Sequence, residues 1–179
     1  MQQVRLDISA LLEDLGASAS VEGDFTLDHL VVGDEVFHLL EPASYAVELT
    51  NTGSGIVASG TVSARTSATC SRCLEPFEML IDAEVEGFYV QPGHEDTIPE
   101  EQETEPIHSD GTVDLASALQ AALTLEAPFA PVHDEECSGL CPVCGCNLNE
   151  ESCSCSIEIE PIGPLAALKD LLPSDDDPR

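Results

Sequence analysis

The chain has 179 residues, of which 42% are apolar, so it is long and apolar enough to bury one core. It has no Trp and only 4% aromatic residues, so we expect a core of Val, Leu, Ile and Ala. Its 35 acidic residues oppose five Lys and Arg, giving a formal net charge of −30. Such a surface repels phosphate groups, which argues against extensive direct RNA or DNA binding and favours a basic protein partner.

Targeting and membrane segments are not expected. The N-terminal stretch "MQQVRLDISALLEDLG" carries acidic residues within its apolar part, which is not the pattern of a secretory signal. The apolar run "LASALQAALTL" (115–125) is far shorter than the ~18 residues that a membrane span needs. We therefore expect a cytoplasmic protein, in which clustered cysteines stay reduced and bind metal more often than they form disulfides.

Residues 1–90 are predicted to form a short N-terminal helix followed by an antiparallel β-domain. The helix is indicated by apolar residues spaced three and four apart, namely Ile8, Leu11, Leu12 and Leu15. From about residue 20 the apolar period changes to two, as in Tyr45, Val47 and Leu49. The polar, glycine-containing stretch "TNTGSG" (50–55) separates two such strands and predicts a hairpin turn.

The remaining segments differ in composition. They are an acidic mobile loop (91–111), an amphipathic helix (112–130), a Cys-rich metal-binding segment (131–160), a short C-terminal helix (161–172) and a disordered tail (173–179). Asp114 is the expected N-cap of the amphipathic helix, and Pro128 is expected to end it. The predicted fold is α+β and mainly β. It is an antiparallel sheet curled into a barrel or sandwich, with a few short helices and a C-terminal segment like a zinc knuckle.

Six of the eight cysteines lie in "ECSGLCPVCGCNLNEESCSC" (136–155), which suits a disulfide scaffold, a metal site or reactive thiols. The C-x-x-C turn of Cys141 and Cys144 lets two thiolates converge on one ion. Cys153 and Cys155 are too close in sequence to bond each other easily, but both can face one metal. We therefore expect these four cysteines to form a tetrahedral metal site.

A second site is predicted from the pair Cys70 and Cys73. His133 and Cys137 can complete a set of three cysteines and one histidine with them, which ties the Cys-rich segment to the β-domain. This division leaves Cys146 spare, as an alternative ligand. Spacing alone also allows Cys137 to join the C-terminal set, or His133 to be an ordinary surface histidine.

Zinc, one or two ions in a structural role, is the favoured cofactor, because a set of three cysteines and one histidine suits zinc better than an iron–sulfur cluster. The acidic residues beside the cysteines disfavour a reactive thiolate unless a cation is bound. The sequence has no H-E-x-x-H motif, phosphate-binding glycine loop or nucleophile elbow, so we do not expect an enzyme. The alternative is a redox-active or metal-dependent enzyme that uses Cys70 with Cys73, or Cys153 with Cys155.

Two motifs in this chain resemble a known family. They are "CSRCLEPF" (70–77) and "APFAPVHDEECSGLCPVCGCNLNEESCSC" (127–155), followed by "PLAALKDLL" (164–172). In this order they resemble the YceD family of bacteria and plastids, the large ribosomal RNA subunit accumulation proteins. The resemblance extends over roughly residues 4–172.

The resemblance implies a role in accumulation or processing of 23S ribosomal RNA, and hence in biogenesis of the large ribosomal subunit. Extreme acidity is unusual for a protein that touches RNA. The resulting hypothesis is that the protein contacts the large-subunit assembly machinery, through a basic ribosomal protein or assembly factor, and acts on rRNA indirectly.

Overall fold

The structure, a computed structural model, describes residues 3–90 and 104–156. Its strands are β1 (Arg5–Asp7), β2 (Ser18–Phe25), β3 (His29–Val32), β4 (Glu35–Leu39), β5 (Ala43–Asn51), β6 (Ile56–Thr69), β7 (Pro76–Val90), β8 (Glu105–Pro106) and β9 (Thr112–Asp114). Its helices are α1 (Ser9–Glu13) and α2 (Ala116–Glu126). The predicted mainly β fold is confirmed. The predicted helix 161–172, the tail 173–179 and most of the loop 91–111 lie outside the described residues.

The two longest strands, β6 and β7, form one antiparallel hairpin. It is paired in continuous register from Ile56–Tyr89 to Thr69–Pro76. Alternate residues of β6 face the core, because successive side chains of a strand point to opposite sides. The buried ones are Ile56, Ala58, Val62, Ala64, Thr66 and Ala68. The predicted hairpin turn at 50–55 is also confirmed, since β5 and β6 pair antiparallel up to Asn51–Ile56.

The main sheet branches at β6. One edge of β6 pairs with β7 along its whole length, while β5 and then β4 share the other edge. β2 continues the sheet beyond β5, and β3 continues it beyond β4. Beyond β7 lies β8, which pairs parallel to it rather than antiparallel.

The expected barrel is not confirmed, because no sheet closes on itself in the described part of the chain. β2 and β3 end the two branches, and they are paired with β5 and β4 rather than with each other. α2 packs against β7, β6 and β3. The helix therefore covers apolar surface that closure of the sheet would otherwise have to bury.

The apolar side of α2 completes the core. Its buried residues are Ala116, Leu119, Ala122 and Leu123. The carboxylate of Asp114 accepts hydrogen bonds from the backbone N–H of Ala116, at 3.0 Å, and of Val4, at 2.9 Å. The N-cap position is Leu115, which makes no side-chain cap, so the prediction of Asp114 as the N-cap is wrong by one residue. Asp114 ends β9 and lies directly before the cap. Neither helix in residues 3–90 and 104–156 has the length and apolar character required to cross a membrane.

α1 is attached to the sheet through the buried side chain of Asn51. Its amide nitrogen donates to the carbonyls of Leu11, at 2.7 Å, and Asp14, at 3.1 Å, which lie at the C-terminal end of α1. Its oxygen accepts from the backbone N–H of Gly53 in the hairpin turn, at 2.9 Å. A buried polar side chain with all these partners fixes the helix relative to the hairpin. Gly16 follows the helix with a φ of 81°, as expected for a residue after its end.

Two leucines of α2 allow a matched test of this packing. Leu119 is fully buried, whereas Leu125 on the same helix is 87% exposed. We expect Leu119→Ala to lower the free energy of unfolding by about 2–5 kcal/mol, because it leaves a cavity in the core. Leu125→Ala should change it by less than about 0.5 kcal/mol. Urea denaturation of both variants measures the difference, and equal losses would mean that α2 does not pack through this side.

Candidate metal centres

The first pair of cysteines lies in the turn that joins β6 to β7. The backbone N–H of Cys70 donates to the carbonyl of Glu75, and the N–H of Leu74 donates to the carbonyl of Cys70, both at 2.9 Å. These bonds close a tight turn that requires Leu74 to adopt a φ of 62°. A left-handed leucine costs on the order of 1–2 kcal/mol, so tertiary contacts must hold this turn in place. Cys70 and Cys73 are both buried.

The segment after α2 attaches to this turn. Ser71 donates to the carbonyl of Pro131 through its backbone N–H, at 2.8 Å, and its hydroxyl, at 3.0 Å. The guanidinium of Arg72 donates to the carbonyls of Glu135, at 2.8 Å, and Cys137, at 3.1 Å. These bonds carry the 131–137 segment across the end of the β6–β7 hairpin.

As a result, Cys70, Cys73, His133 and Cys137 meet in one cluster, with all ligand atoms within 4.8 Å of one another. The sulfurs of Cys70 and Cys137 are 3.9 Å apart. The sulfur of Cys73 lies 3.5 Å from Nδ1 of His133. The structure therefore brings together the four residues of the predicted set, and their arrangement can hold a metal ion. We call these four residues the histidine-containing cluster.

The protonation of these thiols reflects their crowding. Burial raises the pKa of Cys70, but hydrogen bonds from the backbone of Cys73 and from His133 outweigh it and lower that pKa to about 5. For Cys73 the N–H of Glu75 lowers the pKa, but burial and the neighbouring thiols together raise it. The cluster thus favours one thiolate and opposes a second, unless a cation is added.

The second cysteine-containing turn repeats the geometry of the first. The N–H of Cys141 donates to the carbonyl of Cys146, at 2.9 Å, and the N–H of Gly145 donates to the carbonyl of Cys141, at 2.8 Å. Gly145 has a φ of 75° and occupies the position that Leu74 has in the first turn. Glycine adopts this conformation without strain. An isolated β-bridge between Leu140 and Asn147 closes the base of the turn.

Five sulfurs lie at or near this second turn. Four of them, from Cys141, Cys144, Cys146 and Cys153, lie within 4.8 Å of one another and form what we call the all-cysteine cluster. Cys155, which spacing placed among the ligands, is outside this cluster, although its thiol interacts with Cys144 and Cys153. Cys146, which the predicted division into two sets of four ligands left over, is inside it. The sequence ranked Cys155 above Cys146 because spacing does not show that the turn directs the Cys146 thiol toward its neighbours.

Like-charge crowding is strong here as well. The backbone N–H groups of Cys144 and Val143 lower the pKa of Cys141 to about 6. In contrast, the neighbouring Cys144 raises the pKa of Cys146 to about 12 and that of Cys155 also to about 12. A divalent cation would favour the deprotonated form of every thiol that it contacts.

Sequence reasoning missed one residue that contacts this region. The side chain of Asn149, which follows the second cysteine-containing turn, donates to the sulfur of Cys137 in the histidine-containing cluster, at 3.3 Å. The only sequence signal was the polar "NLN" stretch between two groups of ligands, which carries no metal-binding residue type.

This chain is similar to proteins of two mycobacterial species. The chain is 37% identical over 98 residues to an uncharacterized protein of Mycobacterium tuberculosis (strain ATCC 25618 / H37Rv), covering 54% of this chain and 47% of that protein. It is 28% identical over 107 residues to an uncharacterized protein of Mycobacterium leprae (strain TN), covering 60% of this chain and 49% of that protein. The match therefore spans about half the length of these curated relatives. No solved structure matches the chain.

One family matches across both cysteine clusters. It is described as "Large ribosomal RNA subunit accumulation protein YceD", and its match covers residues 58–172, from the β6–β7 hairpin to beyond the last cysteine. This is more than half of the chain, and the chain therefore belongs to the YceD family.

Proposed function

We propose that this protein is a non-enzymatic, zinc-binding accessory factor in 23S rRNA accumulation and processing, and so in biogenesis of the large ribosomal subunit. Membership of the YceD family supports the link to ribosomal RNA. The zinc-binding part of the proposal rests on the pair of four-residue clusters, of which the histidine-containing cluster joins the C-terminal segment to the end of the β6–β7 hairpin.

Zinc fits the donor atoms and their spacing. A tetrahedral zinc with Zn–S bonds of about 2.3 Å separates two sulfur ligands by about 3.8 Å, and a sulfur and a nitrogen by about 3.6 Å. The separation between Cys70 and Cys137 is 3.9 Å, and that between Cys73 and His133 is 3.5 Å. Three thiolates with one imidazole favour zinc over an iron–sulfur cluster.

The metal would be structural rather than catalytic. Each cluster offers four protein ligands, which leaves no open position for a substrate or water. All eight cysteines are free thiols in this fold, which accords with a cytoplasmic location, where thiols stay reduced. The segment that follows Pro131 has little core of its own, so metal binding would supply much of its folding free energy.

The charge distribution supports a basic protein partner rather than naked RNA. The net charge of −30 repels phosphate. All three arginines in residues 3–90 and 104–156 already contact acceptors of this chain. Arg5 lies 4.0 Å from Asp110, Arg65 lies 3.6 Å from Glu78, and Arg72 donates to two carbonyls. A basic ribosomal protein or assembly factor would complement this surface.

Metal content tests the two-site proposal. Native mass spectrometry of freshly purified, reduced protein should give two zinc ions per chain. Cys73→Ser should remove the ion of the histidine-containing cluster and Cys144→Ser that of the all-cysteine cluster, each leaving one ion. A protein with no metal and with thiols that readily oxidise in pairs would contradict the proposal and favour a redox function.

The fifth sulfur near the all-cysteine cluster gives a sharper test of its ligands. We expect Cys146→Ser to weaken zinc binding at this cluster, measured by competition with a chromophoric chelator. Cys155→Ser should leave the affinity unchanged, since all four sulfurs of the all-cysteine cluster remain in place. The matched pair makes the same chemical change at both positions, so the reverse order would assign Cys155 as the ligand.

The biological proposal predicts a selective rRNA defect. Depletion of the protein in its host should lower the ratio of 23S to 16S rRNA, and wild-type protein should restore it. Cys73→Ser, which breaks the histidine-containing cluster, should fail to restore it, whereas Leu125→Ala on the exposed side of α2 should succeed. An unchanged ratio after depletion would contradict the proposal.

Indirect action on rRNA predicts a particular binding behaviour. Purified protein should not bind protein-free 23S rRNA at about 200 mM salt in a filter-binding assay, because it lacks the cations that displace phosphate counterions. It should bind precursor particles that retain their basic proteins. Binding to protein-free RNA that persists at this salt concentration would refute the protein-partner proposal.

A further inference from the structure

The two clusters are joined by a very short stretch of chain. Cys137, a residue of the histidine-containing cluster, precedes Cys141, a residue of the all-cysteine cluster, by four positions. Between them, the N–H of Leu140 donates to the backbone carbonyl of Arg72 at 3.0 Å. Gly139 has a φ of 71°, and a Cβ there would lie 3.0 Å from the same Arg72 oxygen. The second turn is therefore seated directly on the backbone of the first.

The side chain of Asn149 makes a second connection. Its oxygen accepts from the backbone N–H of Ser138, at 2.7 Å. Because that N–H can only donate, the orientation of the amide is determined, and its nitrogen must face the other way. That nitrogen donates to the Cys137 sulfur, at 3.3 Å, and to the side-chain oxygen of Asn147, at 2.9 Å. Both N–H bonds of the amide are thus used.

The position of Asn149 depends on the second turn. Asn147 follows Cys146 directly, and its side-chain oxygen also accepts from the backbone N–H of Asn149, at 3.1 Å. The N–H of Leu148 donates to the carbonyl of Gly139, at 2.9 Å. These few bonds, each contributing on the order of 1 kcal/mol, hold an exposed loop with little core. Loading the all-cysteine cluster would fix both ends of the turn, at Cys141 and Cys146.

We propose that the two clusters form one coupled metal centre, in which Asn149 is the positioning residue. When the all-cysteine cluster is loaded, the 147–149 turn is ordered and the Asn149 amide is held against the Cys137 thiolate. The amide then stabilises that ligand, and the histidine-containing cluster binds its metal more tightly. This inference rests on the proposal that both clusters bind zinc.

The sign and size of the coupling follow from general chemistry. An N–H donor stabilises a thiolate relative to a thiol, so its loss should weaken metal binding. Removing such a hydrogen bond to a metal ligand typically costs about 10–100-fold in metal affinity. Thermodynamic linkage requires the effect to be mutual, so loading the histidine-containing cluster must tighten the all-cysteine cluster by the same factor.

A double-mutant cycle on the full chain tests the coupling. The four proteins are wild type, Asn149→Ala, Cys144→Ser and the double variant. Zn²⁺ affinity of the histidine-containing cluster is measured by chelator competition. Co²⁺ spectra assign the sites, because four thiolates give more sulfur-to-metal charge transfer than three. Each single variant should weaken the histidine-containing cluster about 10–100-fold. The double variant should bind Zn²⁺ at this cluster no more weakly than the single variant of lower affinity. Both changes remove the same hydrogen bond, from the Asn149 amide to Cys137.

Asn149→Asp tests the N–H donor of the side chain apart from its size and its other oxygen. It keeps an oxygen for the Ser138 N–H but places a second oxygen against the Cys137 sulfur. We expect it to weaken the histidine-containing cluster at least as much as Asn149→Ala does. Wild-type affinity in Asn149→Asp would mean that the Ser138 bond matters and the thiolate contact does not, which overturns the assignment.

The outcomes also separate this inference from the proposed function. Wild-type protein that binds no metal would contradict the proposed function itself. Wild-type protein that binds two ions, with unchanged affinity of the histidine-containing cluster in Asn149→Ala, would overturn only the coupling. Losses that multiply in the double variant would show that Asn149 does not carry the coupling, which overturns its role as the positioning residue.

Discussion

The position of the histidine-containing cluster depends on the continuous pairing of β6 with β7. Because the last pair is Thr69 with Pro76, the intervening residues must form the turn, and Cys70 and Cys73 are carried to the end of the hairpin. The turn then binds Pro131, 60 residues away from Ser71 in sequence. Closing a loop of this length costs little more than closing a shorter one, so a few well-placed hydrogen bonds suffice to recruit the distant ligands.

The second constraint is electrostatic. Each cluster places four potential anions or lone pairs within 4.8 Å of one another, and the protein has almost no cations to balance them. The nearby guanidinium of Arg72 is directed at backbone carbonyls instead. The pKa values move apart accordingly, from about 6 for Cys141 to about 12 for Cys146. A bound divalent cation is the simplest way for all of these sulfurs to become thiolates together.

The long strands could be predicted from the sequence because their signal is local. Alternation in β5, β6 and β7 and the polar turn at 50–55 are properties of adjacent residues. Sheet closure was not predictable, because it depends on where β3 and α2 pack. The strands β8 and β9, of two and three residues, arise from tertiary pairing and leave no periodic pattern. The short β9 also shows why the predicted helix 112–130 begins only at Ala116 in the structure.

The presence of two cysteine-rich clusters was predictable from the sequence, but one of the ligands and the contact from Asn149 were not. Residue type and the number of remaining donors favoured Cys70, Cys73, His133 and Cys137 as one set, but spacing alone also allowed other divisions of the ligands. Spacing favoured Cys155 over Cys146, whereas the structure has Cys146 in the cluster, because the choice depends on the direction in which each side chain leaves the turn. Spacing also did not identify Asn149, whose role follows from its hydrogen bonds alone. A residue that binds no metal can nevertheless set the affinity of a site, because a ligand sulfur must be held as a thiolate before it can bind.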